Sequence, residues 1–203
     1  MKKIKQGRNS GVSLIELLLA ISLLVVVMLA VSSVDIASKK HLREVDIRTT
    51  LYSEVNFAME RIVKSVSQAV GQYSDAAICV RTSIGTECAA DMGLAQTGNT
   101  VSFRFPDATF SNLSDNDWGA YRYNTATYEI WGWEYTGGAW AYKGPISRPK
   151  ISTVVFRRGA GANSNSLQIL IGAKQDPGAA FDPITNPEII SESNVVISGM
   201  STN

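Results

Sequence analysis

Between Leu17 and Val34 the chain carries no charged residue, and its only polar side chains there are Ser22, Ser32 and Ser33. At about 1.5 Å of rise per residue, a helix from Val12 to Val34 is roughly 35 Å long, enough to cross a hydrocarbon core of about 30 Å. One residue breaks the pattern. Glu16 sits inside the apolar start, where a carboxylate costs on the order of 2–3 kcal/mol or more in lipid. A charge kept at that cost points to function. Ahead of the run, Met1 to Gly11 holds Lys2, Lys3, Lys5 and Arg8 and no acid. The positive-inside rule keeps such a leader cytoplasmic and places the chain after the helix outside. A secretory signal peptide has its small-residue cleavage site after the apolar region. Here the small residue, Gly11, comes first, so a cut at Gly11 retains the helix.

Gly11-Val12-Ser13-Leu14-Ile15-Glu16-Leu17-Leu18 resembles the class III signal of type IV pilins and type II secretion pseudopilins. The resemblance implies cleavage between Gly11 and Val12 by a prepilin peptidase and N-methylation of Val12. It also implies that Glu16 meets the N-terminal amine of a neighbouring subunit during assembly. A buried carboxylate is tolerable when a cation pairs with it. Two positions depart from the usual pattern: Val12 stands where Phe is common, and Ser33 where many major pilins have a helix-kinking Pro. The missing Pro leans towards a minor subunit, loosely similar to the J-type minor pseudopilins or the W-type minor pilins. The expected localisation is the bacterial inner membrane, with the head periplasmic and at a filament tip after assembly. The expected partners are other pilins or pseudopilins through the N-terminal helix, and the prepilin peptidase.

Removing residues 1–11 leaves 192 of the 203 residues, one membrane helix and one domain of ordinary size. The whole chain has a formal charge of +1, and without the four leader cations it stands at −3. No basic patch remains to argue for nucleic-acid binding. The two cysteines, Cys79 and Cys88, read as a disulfide in an extracytoplasmic compartment and as two free thiols in a reducing one. The topology favours the disulfide.

No glycine lies between Gly11 and Gly71, and the first proline is Pro106. The spacing therefore predicts one very long helix stopped at Gly71. It divides into a filament-core or membrane part over 12–34 and an amphipathic continuation over 35–71. Leu51, Val55, Ala58, Met59, Ile62, Val66, Ala69 and Val70 fall mostly at three- and four-residue steps, one face that needs a partner surface. The expected partner is the chain's own head over 72–203. Residues 72–98 read as loop. Beyond them the period changes to two, with strands expected at Val101 to Phe105, Ala120 to Tyr123, Tyr128 to Tyr135 and Ala139 to Tyr142. Further strands are expected at Ile151 to Arg157 and Leu167 to Ile171, a long loop over 175–187, and a short final pairing of Ile189-Ile190 with Val195 to Ile197. The fold class is α+β: a long N-terminal helix packed on an antiparallel sheet.

All four tryptophans, Trp118, Trp131, Trp133 and Trp140, share one window with five tyrosines in or just after it. One face of this meander serves as core and the other is partly covered by aromatics, which leaves room for a subunit contact or a substrate surface. His41, the sole histidine, lies on the long helix, so no Ser-His-Asp or Cys-His site is available to the head. Asp115-Asn116-Asp117-Trp118-Gly119 has the flavour of a calcium loop, but Ala126 stands where a bidentate acid is required. Asp115 and Asp117 are a weak metal candidate and otherwise a turn. No cofactor is expected and no enzyme reaction can be argued. The competing class is a membrane-anchored extracytoplasmic binding module that forms no filament.

Overall fold

The computed structural model describes residues 13–71, 77–84, 95–105, 118–136, 138–160, 166–197 and 199–200. The chain divides into two compact units, Met1–Val45 and Asp46–Asn203. Helix α1 runs from Leu14 to Ser67 without a break. Its length follows from composition, since nothing in that span removes an amide donor or loosens φ.

In the first unit, from Leu17 to Val34, the helix surface is apolar on every side. The large side chains from Leu14 to Val34 are all exposed. The mean hydropathy of its most apolar stretch is 3.0, making this the one helix among the described residues long and apolar enough to span a membrane. An all-round apolar helix is stable only inside lipid or among other helices. Its three hydroxyls turn inward on the backbone: Ser22 Oγ donates to Leu19 O at 2.9 Å, Ser32 Oγ to Met28 O at 2.8 Å and Ser33 Oγ to Ala30 O at 2.7 Å. None of the three therefore presents an unmet hydroxyl to hydrocarbon.

In the second unit the amphipathic part of α1 is followed, among the described residues, by eleven strands. The five-stranded sheet has the order β2-β4-β5-β6-β7 and is antiparallel throughout: Ile78–Arg81, Thr100–Arg104, Trp118–Asn124, Glu129–Thr136 and Ala139–Pro145. The four-stranded sheet, also antiparallel, has the order β10-β9-β8-β3: Glu188–Val196, Ser166–Lys174, Ile151–Arg158 and Gln96–Gly98. A short parallel pair joins β1 (Val70–Gly71) to β11 (Gly199–Met200). The architecture is α+β.

The helix stripe is the heart of the core. Leu51, Val55, Ala58, Ile62 and Val66 are fully buried, and Met59 and Ala69 nearly so. They form one cluster with Val101, Phe103 and Tyr121 of the five-stranded sheet and with Phe156, Ile169 and Ile171 of the four-stranded one. Burying each large aliphatic side chain stabilises by about 1.5–3 kcal/mol. The stripe thus has two sheets as its partner, where the periodicity implied only one set of strands.

Several boundaries differ from the sequence-based expectation. The helix ends at Ser67, short of Gly71, because Val70 and Gly71 pair with Gly199 and Met200. Ala69 N–H closes the last turn on Val66 O at 3.0 Å. The expected loop over 72–98 contains β2 and β3. The expected short final pairing is one nine-residue strand, β10, in continuous register with β9. The β4 alternation also misleads. Thr100, Ser102 and Arg104 are as buried as Val101 and Phe103, and the Arg104 guanidinium lies 4.9 Å over the Trp118 ring. A cation on an aromatic face loses less on burial than a bare charge.

Candidate functional site

The N-terminus of α1 is built from Ser13 and Glu16. Ser13 precedes the first helical residue, and its carbonyl accepts the first helical bond from Leu17 N–H at 3.1 Å. Its hydroxyl oxygen accepts from Ile15 N–H at 3.3 Å. Glu16 reaches back, and its Oε2 accepts from Ser13 N–H at 2.9 Å. This is a variant of the capping box, with the serine hydroxyl on the second helical amide instead of the third, and two amides left over at a helix start are satisfied by side chains three residues apart. The carboxylate also lies in the first turn, near the positive end of the helix dipole. Part of its cost in lipid is thereby offset within the chain.

Glu16 is the sole charged side chain from Ser13 to Val34, and it is exposed with its neighbours. The capping role was readable in Ser13-Leu14-Ile15-Glu16 ahead of an apolar run, a recognised helix-start pattern. Gly11 and Val12, the expected processing residues, lie outside the described residues.

Cys79 sits on β2, almost completely buried, against Trp118, with Tyr135 and Trp140 packed beside them. Cys88 lies outside the described residues, as do Asp115 and Asp117. Among the described residues no three of His, Cys, Asp and Glu are grouped to hold a metal ion. His41 is exposed on α1.

The aromatic window divides by strand alternation. Tyr121 and Tyr123 face the core. Trp131, Trp133, Tyr135, Trp140 and Tyr142 line the opposite face of β6 and β7 in tilted ring contacts, with ring centroids 5.1–5.3 Å apart. These rings are partly covered, except Tyr142, which is exposed. Tyr123 is a titrating group whose behaviour the fold changes. Burial, and secondarily the nearby Tyr128, pushes its hydroxyl pKa up. The hydroxyl donates to the carbonyls of Ile151 (2.9 Å) and Ser152 (3.1 Å), tying β5 to β8.

Two hollows of about 400 and 240 Å³ lie between α1 and β7 and share Arg61, Pro145 and Ile146. The larger contains the Arg148–Glu54 ion pair at 3.2 Å, the smaller the Lys143–Glu134 pair. Among the described residues, neither is lined by a histidine or cysteine, and the larger is lined by Ser53, Ser147 and Glu54.

Between β9 and β10 the chain forms an ordered loop around buried Asn186. Its Oδ1 accepts from Asp176 N–H at 2.8 Å, and its Nδ2 donates to the carbonyls of Asp176 and Ala180, both at 2.9 Å. Arg48 of α1 donates to Pro183 O at 3.0 Å and holds the loop against the helix.

No family model matches this chain, and neither a curated protein nor a solved structure matches it.

Proposed function

We propose that this chain is a minor pilin or pseudopilin, a structural subunit that enters or caps a type IV pilus or type II secretion pseudopilus. The observation that carries the reading is the capping box: a carboxylate placed at the start of an otherwise uncharged apolar helix and held at the backbone by Ser13. Cleavage after Gly11 would leave the ammonium of Val12 one residue ahead of Ser13. In a bundle of staggered helices, the amine of one subunit then pairs with Glu16 of the next. The α+β head, with an amphipathic helix half buried on antiparallel sheets, supports the same reading. In this reading the leader is cytoplasmic, the head is periplasmic, and Cys79 is joined to Cys88. Burial of Cys79 and the lack of a free thiol among the described residues support that disulfide.

The decisive experiment is intact-mass analysis of membrane-extracted protein from cells with an active prepilin peptidase. The expected product begins at Val12 and carries one added methyl group. A chain still beginning at Met1 overturns the proposal and leaves a membrane-anchored binding module as the better description.

A further inference from the structure

The two long sheet edges are built differently. β7 closes the five-stranded sheet with a register shift opposite Gly132 and Trp133, a left-handed Gly144 (φ 108°) and Pro145. Bulges, prolines and lysines, here Lys143, are what keep an edge from recruiting another strand. β10 closes the four-stranded sheet and has none of these. It pairs with β9 over nine residues, Glu188 to Val196, without a shift in register. Among the described residues no strand lies on its far side. Ile189 and Val195 are buried, but the two apolar side chains on its other face are left bare: Val196 is 73% exposed and Ile190 58%. Ile190 stands opposite Gly172, which has no side chain to cover it.

We infer that β10 is a docking edge for a second copy of this chain, the two β10 strands adding antiparallel with Ser193 opposite Ser193. Alternation puts Glu188, Ile190, Glu192, Asn194 and Val196 on one face of the strand. In a two-fold antiparallel pair the register fixes which of these meet. Centring on Ser193 sets Ile190 opposite the partner's Val196 and Glu192 opposite the partner's Asn194. Apolar meets apolar, and acid meets amide. Centring on Glu192 sets that carboxylate against its own copy, and centring on Ile190 sets Glu188 against Glu192, both unfavourable like-charge pairs. Centring on Ser191 or Asn194 buries Glu192 against Ile190 or Val196. The favoured pairing makes one continuous eight-stranded sheet from the two four-stranded ones. It uses no part of α1, so it stands or falls separately from the pilin reading.

The test uses the full chain in detergent micelles. Ser193→Cys is expected to give a disulfide-linked dimer on mild oxidation, which the wild-type chain does not. Ile190→Cys and Val196→Cys are each expected to crosslink poorly alone and well when mixed. Sedimentation of an Ile190→Lys/Val196→Lys variant should show dimerisation weakened by at least about tenfold. Both sites are exposed, and an unchanged near-ultraviolet tryptophan signal verifies the fold. The double variant leaves α1 intact, so helix-driven association within micelles persists and is subtracted. The inference is overturned if the Lys variant associates like wild type, or if Ser193→Cys crosslinks no faster than Val196→Cys alone. Capture of Ser193→Cys in cells solely by a different polypeptide overturns it as well.

Discussion

Glu16 does two jobs at once in this reading, and one pair of substitutions separates them. Glu16→Ala removes both its half of the capping box and the charge. Glu16→Gln keeps an acceptor for Ser13 N–H, because glutamine also completes a capping box, and removes only the charge. Losing the bond from Glu16 to Ser13 N–H costs about 0.5–1.5 kcal/mol of helix stability. Removing the charge lowers the cost of insertion into lipid by up to about 2.5–3.5 kcal/mol. Neither variant is therefore expected to lose membrane insertion. Assembly behaves differently. Breaking a buried ion pair by deleting one member leaves the other uncompensated, at about 3–5 kcal/mol. That corresponds to more than about a hundredfold in subunit association. Site-specific crosslinking to partner subunits, alongside filament or secretion output, measures this directly. Both variants should fail to that degree, while circular dichroism in micelles shows fraying in the Ala variant alone. If Glu16→Gln crosslinks and functions as wild type, the carboxylate serves only the helix start and the charge-pairing argument is refuted.

The head offers three further predictions. Tyr123 has a folded-state pKa above the ordinary tyrosine value. The stability it contributes is therefore complete below about pH 10 and lost as pH rises through the folded value. Chemical denaturation between neutral and strongly alkaline pH should show that loss, and Tyr123→Phe should flatten it at a cost near 1 kcal/mol for its hydrogen bonds. Asn186→Ala leaves the backbone groups of Asp176 and Ala180 without their partner. Urea unfolding should register a loss on the order of 3 kcal/mol, with faster amide exchange confined to the loop. At Gly119 an added methyl meets the Phe103 ring at 2.5 Å and Phe105 at 2.8 Å. Gly119→Ala should lower the unfolding free energy by about 1–3 kcal/mol through overpacking, seen as a lowered denaturation midpoint, and an unchanged midpoint rejects the packing described.

The helix and its buried stripe were legible because a single period repeats without interruption from Leu51 to Val66. The β5–β6–β7 meander was legible for the same reason, with aromatics at every second position and a Gly-Gly turn. What escaped was set by distant partners. The four residues of β2 and three of β3 are too short to show a period, and only pairing with β4 and β8 makes them strands. β10 was split in two by Ser191-Glu192-Ser193-Asn194, polar residues tolerated because that stretch lies at an edge. Arg104 looked like a solvent-facing residue until Trp118 was placed beneath it. At the candidate site, Glu16 was found for its charge, whereas its bond to Ser13 required looking for the second half of a box.

The helix stripe also has a consequence for how the chain is made. Leu51 to Val66 emerge early, yet Leu167, Ile169 and Ile171, which share their cluster, lie roughly 100 residues downstream. At the usual synthesis rate of about 5–20 residues per second, that delay is on the order of 5–20 s. For all of it an apolar face follows a membrane-competent segment with half of its core unsynthesised. A nascent chain in that condition needs a shield, and any agent that delays completion of the four-stranded sheet lengthens its exposure to aggregation and proteolysis.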